Sequence, residues 1–348
     1  MQRQQLLTEW LHSLFPNESF TLAPASADAS FRRYFRATFS DKTLVVMDAP
    51  PEHEDCRPFI HIAKLFGDAG VNTPQVLAEN LPQGFLLLTD LGNTTYLAAL
   101  TDTNKARALY NAATDALIKI QLASKASELP PYDEALLRRE MNLFPEWYIN
   151  KHLGVTLSEK QQAKLAEVFD RIIANNLAQP CVYVHRDYHS RNLMVFDYPS
   201  PQPSPTRGEG VNEKSNFLSS PGILDFQDAV FGPITYDLAS LFKDAYIKWE
   251  EEDIMDWLIR YWEKARKAGL PVRADFGDFY RDYEMMGAQR HIKVLGIFAR
   301  LYHRDGKDSY LKDMPLVFDY LHRTAARYID LKPLLNLLDE LQPQGMQK

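Results

Sequence analysis

The chain has 348 residues, 45% hydrophobic and 24% charged, a balance that argues against a wholly disordered or fibrous protein. Its 39 Lys and Arg against 46 Asp and Glu give a net charge of −7, so nucleic-acid binding would need a local basic patch that the sequence does not display. Two cysteines, Cys56 and Cys181, cannot build a disulfide scaffold or a four-thiolate zinc site, and a reduced cytoplasmic compartment is expected. No stretch reaches 18 apolar residues, so no membrane span is expected, and the length suggests about two domains or lobes.

The N-terminal stretch repeats Leu6, Leu7, Trp10, Leu11, Leu14 and Phe15 at helical spacing, which predicts a helix packed on the body. It reads as neither a signal peptide nor an interfacial membrane helix, for which it lacks a basic face. Residues 30–48 predict two strands joined by a turn, and Ala49-Pro50-Pro51 breaks the second. A helix is predicted over 55–69, with Gly70 as its stop, and strands over 74–77 and 85–88. From about residue 93 the pattern turns helical, over 103–124, 133–152, 158–176, 235–249, 252–268, 275–304 and 308–341. Short strands at Cys181–Val184 and 222–224 interrupt it. The fold class is therefore α+β, with a small sheet-rich N-lobe and a larger helical C-lobe. Residues 199–221 are rich in Pro, Ser and Gly and poor in apolar side chains, which predicts a flexible surface insertion.

The two short strands flank the chemistry. After Val184 comes His185-Arg186-Asp187-Tyr188-His189-Ser190-Arg191-Asn192, a His-x-Asp-x-x-x-x-Asn string leading into Leu193-Met194-Val195. Phosphoryl transfer from ATP needs a carboxylate to receive the hydroxyl proton and an oxygen nearby to hold Mg²⁺. Asp187 and Asn192 suit those two roles, with His185 as scaffold. Downstream, Leu224-Asp225-Phe226-Gln227-Asp228 ends a buried strand on an acid, which packing explains poorly and a metal explains well. Asp187 and Asp225 are 38 positions apart, and taking out the 23 residues of 199–221 leaves 15, the separation of a short hairpin. A metal hydrolase built on His185, Asp187, His189 and Asp225 is the alternative chemistry these residue types allow.

The segments HRDYHSRNLMVF and LDFQDAVFGPITYDLASL resemble the aminoglycoside phosphotransferase family of the protein-kinase-like fold, over most of the chain. ASFRRYFR at 29–36, VVMDAPP at 45–51, LLLTDLG at 86–92 and LFPEWY at 143–148 are similar, within that family, to the bacterial anomeric amino-sugar kinases. The resemblance implies an ATP- and Mg²⁺-dependent transfer to the C1 hydroxyl of N-acetylmuramate or N-acetylglucosamine, in peptidoglycan recycling. It implies Asp187 as catalytic base, Asn192 and Asp225 as Mg²⁺ ligands, Asp228 as a second acid, and Asp237 as the acid that holds the catalytic loop. It also implies a nucleotide-binding lobe over 1–91, whose Thr89, Asp90 and Leu91 lie at the hinge that meets adenine, and a catalytic and substrate lobe over 92–348.

Two features depart from the kinase pattern. The phosphate-side turn, Ala29-Ser30-Phe31-Arg32-Arg33, is not Gly-rich; Ser30 with Arg32 or Arg33 would cradle phosphate, or the turn is simply solvated. Where a strand lysine is expected, the sequence reads Val45-Val46-Met47-Asp48. On the acceptor side, Arg139, Glu140, Asn142, Glu146 and Trp147 would bind the sugar, or they form an ordinary helix end with Trp147 in the core. The expected partner is a small amino sugar, with no nucleic acid, membrane or obligate protein partner. The rival readings are another acceptor of the same family (aminoglycoside, choline, homoserine or another sugar) and a pseudokinase-like binding module.

Overall fold

The computed structural model describes residues 2–26, 31–195 and 220–341. The insertion predicted over 199–221 lies almost wholly outside them. The chain forms two compact units, Met1–Ala99 with Asn192–Asp228, and Leu100–Arg191 with Ala229–Lys348.

The first unit opens with α1 (Gln2–Leu14) and then builds β1 (Thr21–Ser26), β2 (Arg33–Thr38), β3 (Thr43–Asp48), α2 (Arg57–Asp68), β4 (Val76–Asn80), β5 (Phe85–Thr89) and the short α3 (Tyr96–Ala99). The five strands form one antiparallel sheet in the order β1-β2-β3-β5-β4. Alternation along β2 buries Phe35 and Ala37, which cluster with Phe39, Leu44, Val46, Phe85 and Leu87. Leu7 and Leu11, one helical turn apart, complete that cluster, so α1 packs on the sheet as its periodicity predicts. Each such side chain contributes roughly 1.5–3 kcal/mol by leaving water. β1 has no counterpart among the predicted strands. Pro24 and a register shift beside it weaken its signal, and both are tolerated because β1 is an edge strand.

The second unit begins with α4 (Thr103–Leu122), α5 (Glu134–Met141), a π-helical segment Phe144–His152, α6 (Glu159–Leu177) and β6 (Cys181–Val184). The chain then contributes β7 (Leu193–Met194) and β8 (Gly222–Ile223) to the first unit, paired antiparallel as Leu193↔Ile223 and Met194↔Gly222. Bridges Thr95↔Met194 and Asn72↔Gly222 tie this hairpin to the sheet-bearing unit. Returning to the second unit are β9 (Val230–Pro233), α7 (Tyr236–Phe242), α8 (Glu251–Lys267), α9 (Phe276–Asp305), α10 (Met314–Arg327) and α11 (Lys332–Leu341). The unpredicted β9 pairs with β6. Within the helical range expected over 235–249 the helix ends at Phe242, and the range over 308–341 holds two helices with 3₁₀ turns at Asp308–Asp313 and Ile329–Leu331.

α9 is the 30-residue axis of this unit and is buried over most of its length. The π-helical segment packs closely on it: a Cβ added at Gly296 would stand 2.4 Å from the Leu143 carbonyl carbon, so only glycine fits. Both cysteines are free, and no helix among the described residues is long and apolar enough to cross a membrane.

Candidate active site

Between β6 and Arg191 the second unit holds a loop that is constrained at almost every residue. Asp237, in the first turn of α7, accepts from the backbone N–H groups of His185 at 2.7 Å and Arg186 at 3.0 Å. Asp187 N–H donates to His185 Nδ1 at 3.2 Å, and His189 N–H to the Asp187 carbonyl at 3.0 Å. Ser190 N–H donates to Asp244 at 2.9 Å, and the Tyr188 hydroxyl to the Ala113 carbonyl at 2.8 Å. These bonds hold Arg186 at φ 76°, a left-handed conformation costly for a side chain of this size. A loop so over-determined fixes the Asp187 carboxylate before any substrate arrives.

Electrostatics separates the acid on this loop from the acid that anchors it. Burial pushes Asp187 up, but Lys293, His189, Arg290 and Arg186 outweigh it and hold the carboxyl below the usual range. Asp187 is therefore ionised at neutral pH. Burial dominates at Asp237 and pushes it up to about 7, against the two backbone N–H groups that favour its charge.

Glu140, predicted as a sugar ligand, is buried and occupied. It receives Arg186 and the Tyr132 hydroxyl, stands 3.0 Å from Lys293 Nζ, and accepts from Gln289 at 3.2 Å. Burial pushes its pKa up less than Lys293 and Arg186 bring it down, so it stays charged. Its oxygens serve the Asp187 loop through Arg186, and a sugar would have to displace those partners. Arg139, Asn142 and Glu146 are exposed and Trp147 is half-buried, on α5 and the π-helical segment. No contact among the described residues brings these four into the Glu140 cluster. Lys293 and Arg290 carry more of the site than the sequence pattern gives them; a buried charge on a long helix looks like a surface face until the packing is known.

In the first unit, Asn192 and Asp225 lie side by side, with Asn192 Nδ2 donating to Asp225 Oδ2 at 3.2 Å. Asn192 O accepts from Leu224 N–H at 2.9 Å, and Gln227 Nε2 donates to Asp225 Oδ1 at 2.8 Å. Asp225 sits at φ 64°, a second strained non-glycine position, immediately before Phe226, which packs on Phe59 with ring centroids 4.9 Å apart. The pair offers hard oxygen donors of the kind Mg²⁺ takes. Asp228 is exposed. Among the described residues no three His, Cys, Asp or Glu side chains converge as metal ligands, which leaves the metal-hydrolase alternative without a site there.

Of the predicted phosphate-side residues, Ser30 lies outside the described residues. Arg32 pairs with Glu54 at 2.7 Å, and Arg33 with Asp48. Asp48, standing where a lysine is expected, is fully buried and also bound by Arg3 at 2.5 Å. In the segment expected to be the hinge, Asp90 is held bidentately by Arg36 at 2.6 and 3.0 Å and accepts from Gly92 N–H at 3.0 Å. Burial pushes its pKa up, but these bonds outweigh it and keep it charged. Thr89 exchanges bonds with Gln75, and Leu91 is buried.

The sequence profile of the phosphotransferase enzyme family matches residues 21–204 and 216–276, well over half of the chain. The chain belongs to that family. It is 50% identical, over 98% of its length and 96% of the relative's, to the N-acetylmuramate/N-acetylglucosamine kinase of Neisseria meningitidis. It is 48% identical, over 99% of its length and 98% of the relative's, to the protein of the same name from Pseudomonas aeruginosa. Among solved structures it is similar to a choline/ethanolamine kinase family protein from Mesorhizobium loti, with a TM-score of 0.60 at 14% identity over 97% of this chain and 99% of that one. It is also similar to choline kinase LicA from Streptococcus pneumoniae, at TM-score 0.59 and 12% identity over 94% and 100% of the two chains. These likenesses establish the protein-kinase-like fold, with a small antiparallel-sheet N-lobe and a mostly helical remainder.

Proposed function

We propose that this phosphotransferase moves the γ-phosphoryl group of ATP to the anomeric hydroxyl of N-acetylmuramate or N-acetylglucosamine. The observation that carries the reading is near-full-length identity of 46–50% to three kinases named for those two sugars. The product, a sugar 1-phosphate, would feed nucleotide-sugar synthesis in peptidoglycan recycling within the cytoplasm.

In this reading Asp187 accepts the proton of the acceptor hydroxyl and aligns its oxygen. A lowered pKa that keeps it ionised and a backbone pinned by Asp237 both suit it to that role. Asn192 and Asp225 would hold Mg²⁺, which when bound neutralises phosphate charge. The backbone of Thr89, Asp90 and Leu91 would meet adenine, and Ser30, Arg32 and Arg33 the phosphates. Arg32 and Arg33 reach phosphate by exchanging it for their present carboxylate partners. Arg139, Asn142, Glu146 and Trp147, with Asp228, remain the sugar-side set, and Glu140 acts by positioning Arg186.

An acceptor panel tests this. ADP release is followed with N-acetylmuramate, N-acetylglucosamine, choline, homoserine and hygromycin B, each with ATP and Mg²⁺. The two N-acetylated sugars give the highest kcat/KM. Preference for choline, homoserine or hygromycin B would overturn the reading.

A further inference from the structure

The second unit contains a cation whose role so far is only its charge beside Asp187. Arg290 lies in the middle of α9 with 4% of its surface exposed. Its Nε and Nη1 are buried without a hydrogen-bond partner, and it forms no ion pair among the described residues. A guanidinium cannot shed its charge, and burying one unpaired is costly. Such a group persists where something outside the chain completes it.

Its neighbours on the helix are committed. Gln289 and Lys293 both bind Glu140, which holds Arg186, so α9 is pinned to the residue preceding Asp187. Arg290 itself interacts electrostatically with Asp187, Asp237 and His189. Both Asp237 oxygens are already taken by backbone N–H groups. On the same loop His189 Nδ1 and Ser190 Oγ are also buried without partners. Unused donors and acceptors thus gather around one carboxylate, as a polyhydroxylated guest requires.

A sugar whose reacting hydroxyl reaches Asp187 presents the substituent on the adjoining carbon to the groups beside that carboxylate. In a 2-acetamido sugar reacting at C1 this substituent carries a carbonyl oxygen, an acceptor for the guanidinium fork. A free ammonium there would face a cation.

We propose that Arg290 is a specificity-determining residue that donates hydrogen bonds to the acetamido carbonyl of the acceptor sugar. This rests on the amino-sugar kinase reading above. It accounts for an arginine held unpaired in the free enzyme: the pairing is reserved for the substrate.

Arg290→Met and Arg290→Lys are compared with the wild type on N-acetylglucosamine, N-acetylmuramate and glucose, with thermal midpoints measured alongside. Arg290→Met lowers kcat/KM for both N-acetylated sugars about 10- to 100-fold more than for glucose, the scale of a lost charge-assisted hydrogen bond; a smaller fall common to all three sugars reflects the charge lost beside Asp187. Its thermal midpoint without substrate stays level or rises, because an unpaired buried charge has gone. Arg290→Lys keeps the charge but loses the fork, and with it most of the preference for the acetamido group. A parallel loss on glucose and N-acetylglucosamine would overturn the proposal. So would a fall in the thermal midpoint, or a loss confined to N-acetylmuramate, which would assign the guanidinium to the lactyl carboxylate. A wild-type enzyme inert on every amino sugar would overturn the underlying reading and this proposal together, and it is recognised without the variants.

Discussion

Asp187 and the acid that anchors its loop, Asp237, have opposite electrostatic fates, and that opposition can be measured. Replacing Asp187 with Asn removes proton acceptance and leaves the nucleotide residues of the other unit untouched. Turnover falls by about 10²- to 10⁴-fold, the range for a general base, with ATP affinity retained in a titration without acceptor. Turnover within about tenfold of wild type would remove Asp187 from that role. The pH profile carries the same assignment. Asp187 acts as a carboxylate and its pKa is lowered, so kcat/KM is lost only as pH falls below the ordinary carboxylate range, around 4. An acid limb centred near 6 would contradict this. Asp237 works in the other sense. Its folded-state value, about 7, lies above its unfolded one, so its contribution to stability is fully present at low pH and is lost as pH rises through about 7. Relative to Asp237→Asn, the wild type loses up to about 4 kcal/mol more stability between pH 4 and pH 8 in urea titrations. Equal slopes would show that the buried acid does not titrate there.

At the scale of elements, the β3 position expected to carry lysine has been given to a structural ion pair. Asp48, fully buried, ties Arg3 of α1 to β3 and meets Arg33 across the β2–β3 ladder. Asp48→Lys therefore sets like charges together and loosens α1 from the sheet. We expect it to cost about 3 kcal/mol or more by chemical denaturation, without any gain in ATP affinity. A lysine variant that folds well and binds ATP more tightly would mean the position still belongs to the phosphate site. The β7–β8 ladder offers a separate test. Leu193↔Ile223 and Met194↔Gly222 pair the two strands on either side of residues 197–219. Replacing those residues with a short Gly-Ser turn leaves turnover and thermal midpoint within experimental error, since long surface loops add little closure entropy. A collapse of activity would assign the segment a role.

Elements were legible in the sequence where periodicity was strong and local. The helices at 103–122 and 276–305 and the β2–β3 pair all follow from pattern and spacing. What was not legible depends on partners far along the chain. β9 is four residues, Val230–Pro233, and exists because β6 pairs with it. The burial of Arg290 and Lys293 exists because Glu140 and Arg186 meet α9 from other elements. Neither carries a local signal, whereas the Asp187 motif does.

For the whole molecule, family membership, the protein-kinase-like fold and relatives matched over nearly their full length converge on phosphoryl transfer to a small acceptor. The net charge of −7 fits a small-molecule enzyme better than a polyanion binder. Which hydroxyl is phosphorylated is the central claim, and it rests on the anomeric oxygen being the more acidic one, the one a single ionised carboxylate can align most readily. The direct measurement is ³¹P NMR of the product formed from N-acetylglucosamine, ATP and Mg²⁺ by the full chain. The account predicts a phosphorus coupled to the anomeric proton, and no turnover of the methyl glycoside blocked at C1. A phosphorus coupled instead to the two C6 protons, with the methyl glycoside still consumed, would contradict it.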